Sequence, residues 1–176
     1  MKTGISTVAL LALLFCGLVA WGQEAPAAGA KIDNDGLQKI LGEMGYEPEV
    51  IKSGESVAMQ IEVKHPSGET RKHLLGIDPK ASTVFIIGGG FSWAPDPKKA
   101  SNEWFRRLLN QNHKIAPSYI FVNDFNVFGL TTVIGNVDIK ASRLKDKIQE
   151  HVTNFDERLV PLVKELPPMD KEEGKP

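Results

Sequence analysis

The sequence predicts an α+β domain in which three helices pack on one face of an antiparallel five-stranded sheet, in the order α-β-β-β-α-β-β-α. Several strand-like runs follow one another across short turns, and strands joined in this way pair antiparallel. A parallel nucleotide-binding sheet would instead need a helix between most strands, and that pattern is absent. The chain has 176 residues, of which 41% are hydrophobic, and this is enough for one well-cored domain.

The first helix is predicted from apolar residues at i, i+3, i+4 and i+7, which are Leu37, Ile40, Leu41 and Met44. Residues 33–35 read Asp-Asn-Asp, and any of these side chains can cap the first helical turn. We therefore expect a short amphipathic helix at the start of the domain.

Three strands follow this helix. Apolar and polar residues alternate over residues 57–64, which predicts a half-buried strand. The turn sequence at residues 66–68, Pro-Ser-Gly, allows the chain to reverse into a second strand at residues 70–77. Residues 83–87 are β-branched or aromatic, as in a central strand. Residues 47–52 are a candidate for a further first strand that the count of five does not include.

The second half begins with three glycines at residues 88–90, which we interpret as a bulge or a flexible end of the strand. A helix is predicted from Asp96 and Pro97 to about Asn112. Its apolar face consists of Trp104, Phe105, Leu108 and Leu109. Two more strands are predicted at residues 119–122 and 127–133.

The last helix should begin near residue 138 or 139. The side chains that it should bury are Leu144, Ile148, Val152, Phe155, Leu159 and Leu162. Pro161 lacks a backbone N–H and crowds the preceding turn, so we expect a kink or break near residues 157–160.

Residues 1–22 have the pattern of a secretory signal peptide. One positive charge at Lys2 precedes an apolar run over residues 8–21, and small residues follow. We expect cleavage after Gly22, with cleavage after Ala27 as the alternative. The run is about 14 residues long, shorter than the roughly 20 that span a bilayer, so we expect no permanent membrane anchor. The sequence thus predicts an exported protein, periplasmic or secreted.

The remaining chain is predicted to consist of a flexible linker (23–32), a single domain (33–166) and a disordered tail (167–176). The one cysteine of the full sequence, Cys16, lies inside the leader. A bacterial lipoprotein would have a small residue directly before its lipidated cysteine, whereas Phe15 stands there, so we do not expect lipidation. Once the leader is removed, no thiol remains for disulfides or thiolate metal sites.

The charge of the chain argues against a nucleic-acid partner. The sequence has 21 lysines and arginines against 22 aspartates and glutamates, a formal net charge of -1. Binding to nucleic acid depends largely on clustered positive charge, which this composition does not supply.

One arrangement could support an enzyme. The segment 90–94, Gly-Phe-Ser-Trp-Ala, is a near match to the G-x-S-x-G nucleophile elbow, and Asp124 and His151 follow Ser92 in the order used by α/β-hydrolases. The elbow requires a helix directly after the serine, whereas two prolines follow here, and no parallel sheet is predicted. A small serine hydrolase using Ser92, Asp124 and His151 is therefore the alternative, and the leading prediction is a non-enzyme.

The four histidines are His65, His73, His113 and His151. None has metal-site spacing such as H-E-x-x-H. In the predicted hairpin, His65 lies opposite Glu69 and His73 opposite Ile61, which places the two histidines roughly 13 Å apart along the strands. We therefore expect no metal site, no cofactor, and histidines that are solvated or singly hydrogen-bonded.

Aromatic side chains are concentrated in one half of the chain. The five proposed to bind a partner are Phe91, Trp93, Trp104, Phe125 and Phe128. Aromatic residues of this kind dominate both cores and interfaces, so the alternative that all of them are core residues stays open.

A family resemblance rests on the segment 108–112, Leu-Leu-Asn-Gln-Asn, on the strands at 119–122 and 130–133, and on the amphipathic last helix. Over residues 33–166 the chain resembles the YbjN family, which shares its fold with type III secretion chaperones. The resemblance implies an α+β sandwich, often dimeric, that binds protein surfaces and has no catalytic residues. We therefore predict an exported, chaperone-like module that binds a protein or peptide through a sheet edge or an adjacent groove and self-associates as a homodimer.

Overall fold

In a computed structural model of the protein, the residues described are 29–89, 96–123 and 127–167. The helices are α1 (Asn34–Glu43), α2 (Asn102–Lys114), α3 (Ala141–Asn154) and α4 (Val160–Lys164), with a 3-10 turn at Pro97–Lys99 and a π-helical turn at Phe155–Leu159. The strands are β1 (Glu49–Ser53), β2 (Ser56–Lys64), β3 (Thr70–Asp78), β4 (Thr83–Gly89), β5 (Ser118–Val122) and β6 (Phe128–Gly135).

The sheet is antiparallel, as predicted, but it has six strands and not five. Its spatial order is β1-β2-β3-β4-β6-β5, and every neighbouring pair is antiparallel. The additional strand is β1, a short edge strand whose residues are exposed or half-buried. Because an exposed edge strand has little hydrophobic alternation, its sequence pattern is weak.

The described helices pack on one face of the sheet. Helices α1 and α3 contact each other, α1 contacts β2 and β3, and α2 contacts β5. The side chains buried beneath them come from alternate strand positions, such as Leu75, Ile86 and Leu130. A smaller apolar cluster on the other face of the sheet contains Ala58, Leu74, Phe85 and Ile87.

The first two helices each begin directly after a residue whose side chain caps the first turn. Asp33 caps α1 and accepts a hydrogen bond from the amide of Gly36 at 2.8 Å, within the cap predicted at residues 33–35. The predicted start at Asp96 is wrong for α2, since residues 97–99 form only a 3-10 turn. The hydroxyl of Ser101 accepts from the amide of Trp104 and caps α2 instead.

The break predicted near residues 157–160 takes the form of the π-helical turn. Pro161 has no N–H to donate to the carbonyl of Glu157, so a regular α-helical bond is impossible there. The amide of Val160 donates to the carbonyl of Phe155, five residues earlier, and α4 then continues. This turn places Phe155 and Leu159 in the core.

The glycines at 88 and 89 form no bulge. Both lie within β4 and pair in unbroken register, Gly88 with Leu130 and Gly89 with Gly129. The interpretation of this pair as a bulge is therefore wrong, whereas β4 does end at Gly89. Gly90 lies outside the described residues.

The predicted leader (1–22), most of the linker and the residues from 168 onward lie outside the described part of the chain. Among the described helices, none has the length and apolar character to cross a membrane.

Candidate functional site

The structure places two of the five predicted binding aromatics in the core. Trp104 is 2% exposed and Phe128 is 1% exposed, and their ring centroids lie 5.6 Å apart. The Trp104 indole N–H donates to the carbonyl of Leu162 at 2.9 Å. The other three lie outside the described residues: Phe91, Trp93 and Phe125.

The exposed apolar residues of α2 are Phe105 and Leu109, which are 40% and 65% exposed. The apolar pattern of the sequence predicts both on the buried face of the helix together with Trp104 and Leu108, and for these two the prediction is wrong. Each of these two pairs is spaced i, i+4, and a helix turns by about 100° per residue, so the pairs lie on adjacent stripes. Only the stripe of Trp104 and Leu108 is buried, and Phe105 and Leu109 form an apolar surface stripe.

The proposed hydrolase residues can be placed only in part. Ser92 and Asp124 lie outside the described residues. His151 is 0% exposed, and its Nδ1 lies 2.8 Å from the Thr132 hydroxyl oxygen. In a serine-hydrolase triad, the histidine nitrogen remote from the serine bonds to a carboxylate. In this structure one of the two ring nitrogens of His151 contacts the hydroxyl of Thr132, and a triad histidine needs both nitrogens for the serine and the carboxylate.

The most unusual feature of the core is a buried chain of polar side chains beneath the last helices. We call it the histidine cluster, and its members are Asp156, His65, His73, His151, Thr132 and Ser118. All three histidines of the cluster are between 0% and 3% exposed. Buried ionisable groups of this density are rare in cores, because burial of a charge is costly.

The predicted hairpin register is confirmed, but the separation of the two hairpin histidines is wrong. His73 lies opposite Ile61, and the amide of His65 donates to the carbonyl of Glu69. Nevertheless, the Nε2 atoms of His65 and His73 lie 2.7 Å apart, and their rings stack at 5.0 Å. The prediction considered only the offset of the two residues along the strands. Strand pairs twist and side chains lean along them, so two side chains that start four residue steps apart can still meet.

Asp156 fixes the outer end of the cluster. Its carboxylate accepts from His65 Nδ1–H at 2.8 Å and from the amide of Ser67 at 3.0 Å. Partial burial raises the pKa of Asp156, but the hydrogen bonds from His65 and Ser67 outweigh it and leave this pKa below its usual value. The π-helical turn is thereby connected to the turn between β2 and β3.

At the inner end, His151 from α3 reaches the sheet. The ring centroids of His151 and His73 are 5.1 Å apart, and the Thr132 hydroxyl that contacts His151 lies 2.7 Å from the hydroxyl of Ser118. The His73 Nδ1 and His151 Nε2 atoms are buried and have no hydrogen-bond partner among the described residues. They lie 2.7 Å and 2.8 Å from the point that a Cβ at Gly88 would occupy.

Burial keeps the two inner histidines neutral. It lowers the pKa of His73 to about 3, with further lowering by neighbouring His65 and Arg71 and a smaller opposing effect of Asp156. Burial likewise lowers the pKa of His151 well below its ordinary value, and the nearby His73 and His65 add to this effect.

The cluster is extended and does not enclose a common centre. The Nε2 of His73 is directed to His65 and its Nδ1 lies on the His151 side, so the three imidazoles do not point to one ion. In the part of the chain that the structure describes, no group of three or more His, Cys, Asp or Glu side chains could hold a metal ion.

A second feature lies at the surface, where β2 extends beyond its edge partner. The register of β1 ends at Glu49 opposite Gln60, whereas β2 continues to Lys64. The amide of His65 bonds toward β3, and alternate residues of an antiparallel strand direct their backbone groups to opposite sides. Glu62 and Lys64 therefore direct their N–H and C=O groups away from β3, where no described strand lies. We call residues 61–64 the open edge.

The opposite edge of the sheet is closed. Asn112 of α2 donates from its side-chain amide to the carbonyl of Ile120 at 3.1 Å and accepts from the amide of Ile120 at 2.6 Å. Both backbone groups of this β5 residue are thus occupied by a side chain, which hinders pairing with another strand.

A surface cavity of about 410 Å³ lies beside the open edge. Its charged lining consists of Glu47, Glu49, Glu62 and Lys72, and half-buried Tyr46 also contributes. Three carboxylates against one ammonium group make this region acidic. No local sequence pattern indicates this cavity, because its lining comes from β1, β2, β3 and the residues before β1.

Comparison with known proteins gives a structural likeness and no match in sequence. No family model matches the chain, and no curated protein matches its sequence. The chain is similar to a solved structure titled "Structure of the HopA1-SchA Chaperone-Effector Complex", at 10% identity and a TM-score of 0.45, over 68% of this chain and 85% of that chain. The resemblance to the YbjN family stays a prediction.

Proposed function

We propose that the protein is an exported, non-enzymatic, chaperone-like module that binds an extended segment of another protein at the open edge. The observation that carries this proposal is the pair of outward-directed backbone positions, Glu62 and Lys64, next to an acidic cavity. Export is supported by the apolar leader pattern in residues 1–22.

An open sheet edge binds extended peptides by adding them as another strand. Main-chain hydrogen bonds supply affinity in this mode, and side-chain pockets supply specificity. Here the bound strand would continue the line of β1, and its side chains would reach the cavity lined by Glu47 and Glu49. The carboxylates favour a partner segment with lysines or arginines.

Glu62→Pro tests the edge directly, because proline removes the outward N–H while the β3-directed bonds of neighbouring residues remain possible. The probe is a fluorescein-labelled peptide of alternating lysine and valine, about eight residues long, the usual length of a strand. We expect Glu62→Pro to weaken its binding about tenfold, as measured by fluorescence anisotropy.

Glu62→Ala is the matched control for this experiment. Both variants lose the same carboxylate, but only the proline variant loses the backbone donor, so the difference between them isolates strand pairing. Equal affinities of the two variants, or absence of peptide binding to the unaltered protein, would contradict the proposed binding mode.

We further propose that the protein self-associates through the stripe of Phe105 and Leu109. Leu109 is 65% exposed, and apolar side chains that are exposed together favour contact with another protein surface. Leu109→Arg should convert a dimer into a monomer in size-exclusion chromatography with light scattering. Asn110→Arg, which adds the same charge at the next exposed residue, should remain dimeric. A monomeric unaltered protein at tens of micromolar would count against self-association.

A further inference from the structure

We propose that the histidine cluster is an acid-labile latch that holds α3 and the π-helical turn on the sheet only while His73 and His151 are uncharged. This inference concerns the interior of the domain and is independent of the binding proposed at the open edge. It rests on the positions of the three imidazoles, on their burial and on the location of the Asp156 carboxylate, which bonds to His65.

The cluster joins segments that are distant in the sequence. The Asp156–His65 bond links residues 91 positions apart, and the His151–Thr132 bond links α3 to β6. Phe155 packs edge-on against His65 and His73, with ring centroids at 5.4 Å and 6.1 Å. The contacts of α3 and the π-helical turn with the sheet therefore include this cluster.

Hydrogen-bond directions restrict where protons can reside. Asp156 can only accept in its ionised form, so His65 donates to it through Nδ1–H. A single hydrogen lies between the Nε2 atoms of His65 and His73. If it belongs to His65, that ring carries a positive charge beside the Asp156 carboxylate. If it belongs to His73, both rings are neutral, and either arrangement satisfies every observed bond.

A proton on His73 or His151 has no such compensation. The groups facing His73 are His65, Arg71, His151, Gly88 and the more remote Asp156. His151 faces His73, Gly88 and the neutral hydroxyl of Thr132. Among the described residues, the carboxylate in contact with the cluster is that of Asp156, which bonds to His65 and is more remote from His73. A charge on either inner ring is therefore buried next to neutral or positive groups.

The direction of the pH effect follows from these neutral rings. Histidine in the unfolded chain binds a proton near its ordinary pKa of about 6.5, whereas the folded chain binds it only at much lower pH. Between about pH 6.5 and pH 3, the pKa of His73 in the folded protein, the unfolded state therefore holds more protons than the folded state. The stability that comes from keeping these rings neutral is complete above pH 6.5 and is lost progressively as the pH falls toward 3.

Urea unfolding at about pH 7 and about pH 5 tests the latch. Over this interval, each histidine that is neutral when folded should raise the unfolding equilibrium constant about 25-fold, and two should raise it several hundredfold. The double variant His73→Gln with His151→Gln should lose most of this increase. The control is His113→Gln, because His113 is exposed on α2 and should leave the increase unchanged.

A second measurement covers the case in which the double variant does not fold. Imidazole nitrogen NMR shifts of the unaltered protein should show His73 and His151 neutral in the folded state at about pH 5. The proposal is overturned if both rings titrate near pH 6.5 in the folded protein. It is also overturned if the double variant and the unaltered protein lose equal stability between the two pH values.

Discussion

Gly88→Ala is expected to destabilise the protein by about 1–3 kcal/mol, the range for overfilling a close-packed core. A Cβ at this position would lie 2.7 Å from two atoms of His73 and 2.8 Å from His151 Nε2. Both rings are buried and belong to different elements, β3 and α3, so neither can move without disturbing the packing between the sheet and the helix. Urea denaturation at neutral pH measures the change.

Gly42→Ala serves as the control and should have the opposite sign. Gly42 is exposed within α1, and an added Cβ would meet no atom within 4 Å. Alanine in a helix is favoured over glycine by about 0.5–1 kcal/mol, so this variant should be slightly more stable than the unaltered protein. If Gly88→Ala were as stable as the unaltered protein, the rings of His73 and His151 could not lie against residue 88.

Phe155→Ala is expected to cost about 3–5 kcal/mol in the free energy of unfolding, as do other deletions of a buried phenylalanine ring. Phe155 is 0% exposed, and its ring contacts those of His65 and His73. Its position in the π-helical turn lets it pack at the junction of the second core cluster and the histidine cluster. Removal of the ring leaves a cavity beside the buried imidazoles of His65 and His73.

Phe105→Ala provides the comparison, because it removes the same side chain from an exposed position. Phe105 is 40% exposed on α2, so at protein concentrations low enough for the monomer we expect a loss below about 1 kcal/mol. Differential scanning calorimetry or urea denaturation distinguishes the two variants. Equal losses at the two positions would show that the π-helical turn does not pack as described.

The candidate site could be predicted only in fragments. The register that places His65 opposite Glu69 and His73 opposite Ile61 was predictable, because the Pro-Ser-Gly turn and the strand alternation are local. The cluster itself was not, since its carboxylate and third imidazole come from the last helices. Trp104 and Phe128, which were predicted to bind a partner, are buried in the core. On α2, the orientation of the helix turns Phe105 and Leu109 outward instead.

Local sequence was sufficient to predict the antiparallel strand succession, the β2–β3 register, the cap of α1 and the interruption before Pro161. Each depends on periodicity, turn residues or the chemistry of a single residue, and these act over a few neighbouring positions. Two features appear only when the chain is folded: β1 completes a six-stranded sheet with an open edge at residues 61–64, and Asp156 joins the buried histidines 65, 73 and 151 in one cluster. Such contacts join distant segments, and the packing of helices against the sheet, which creates them, leaves no local pattern in the sequence.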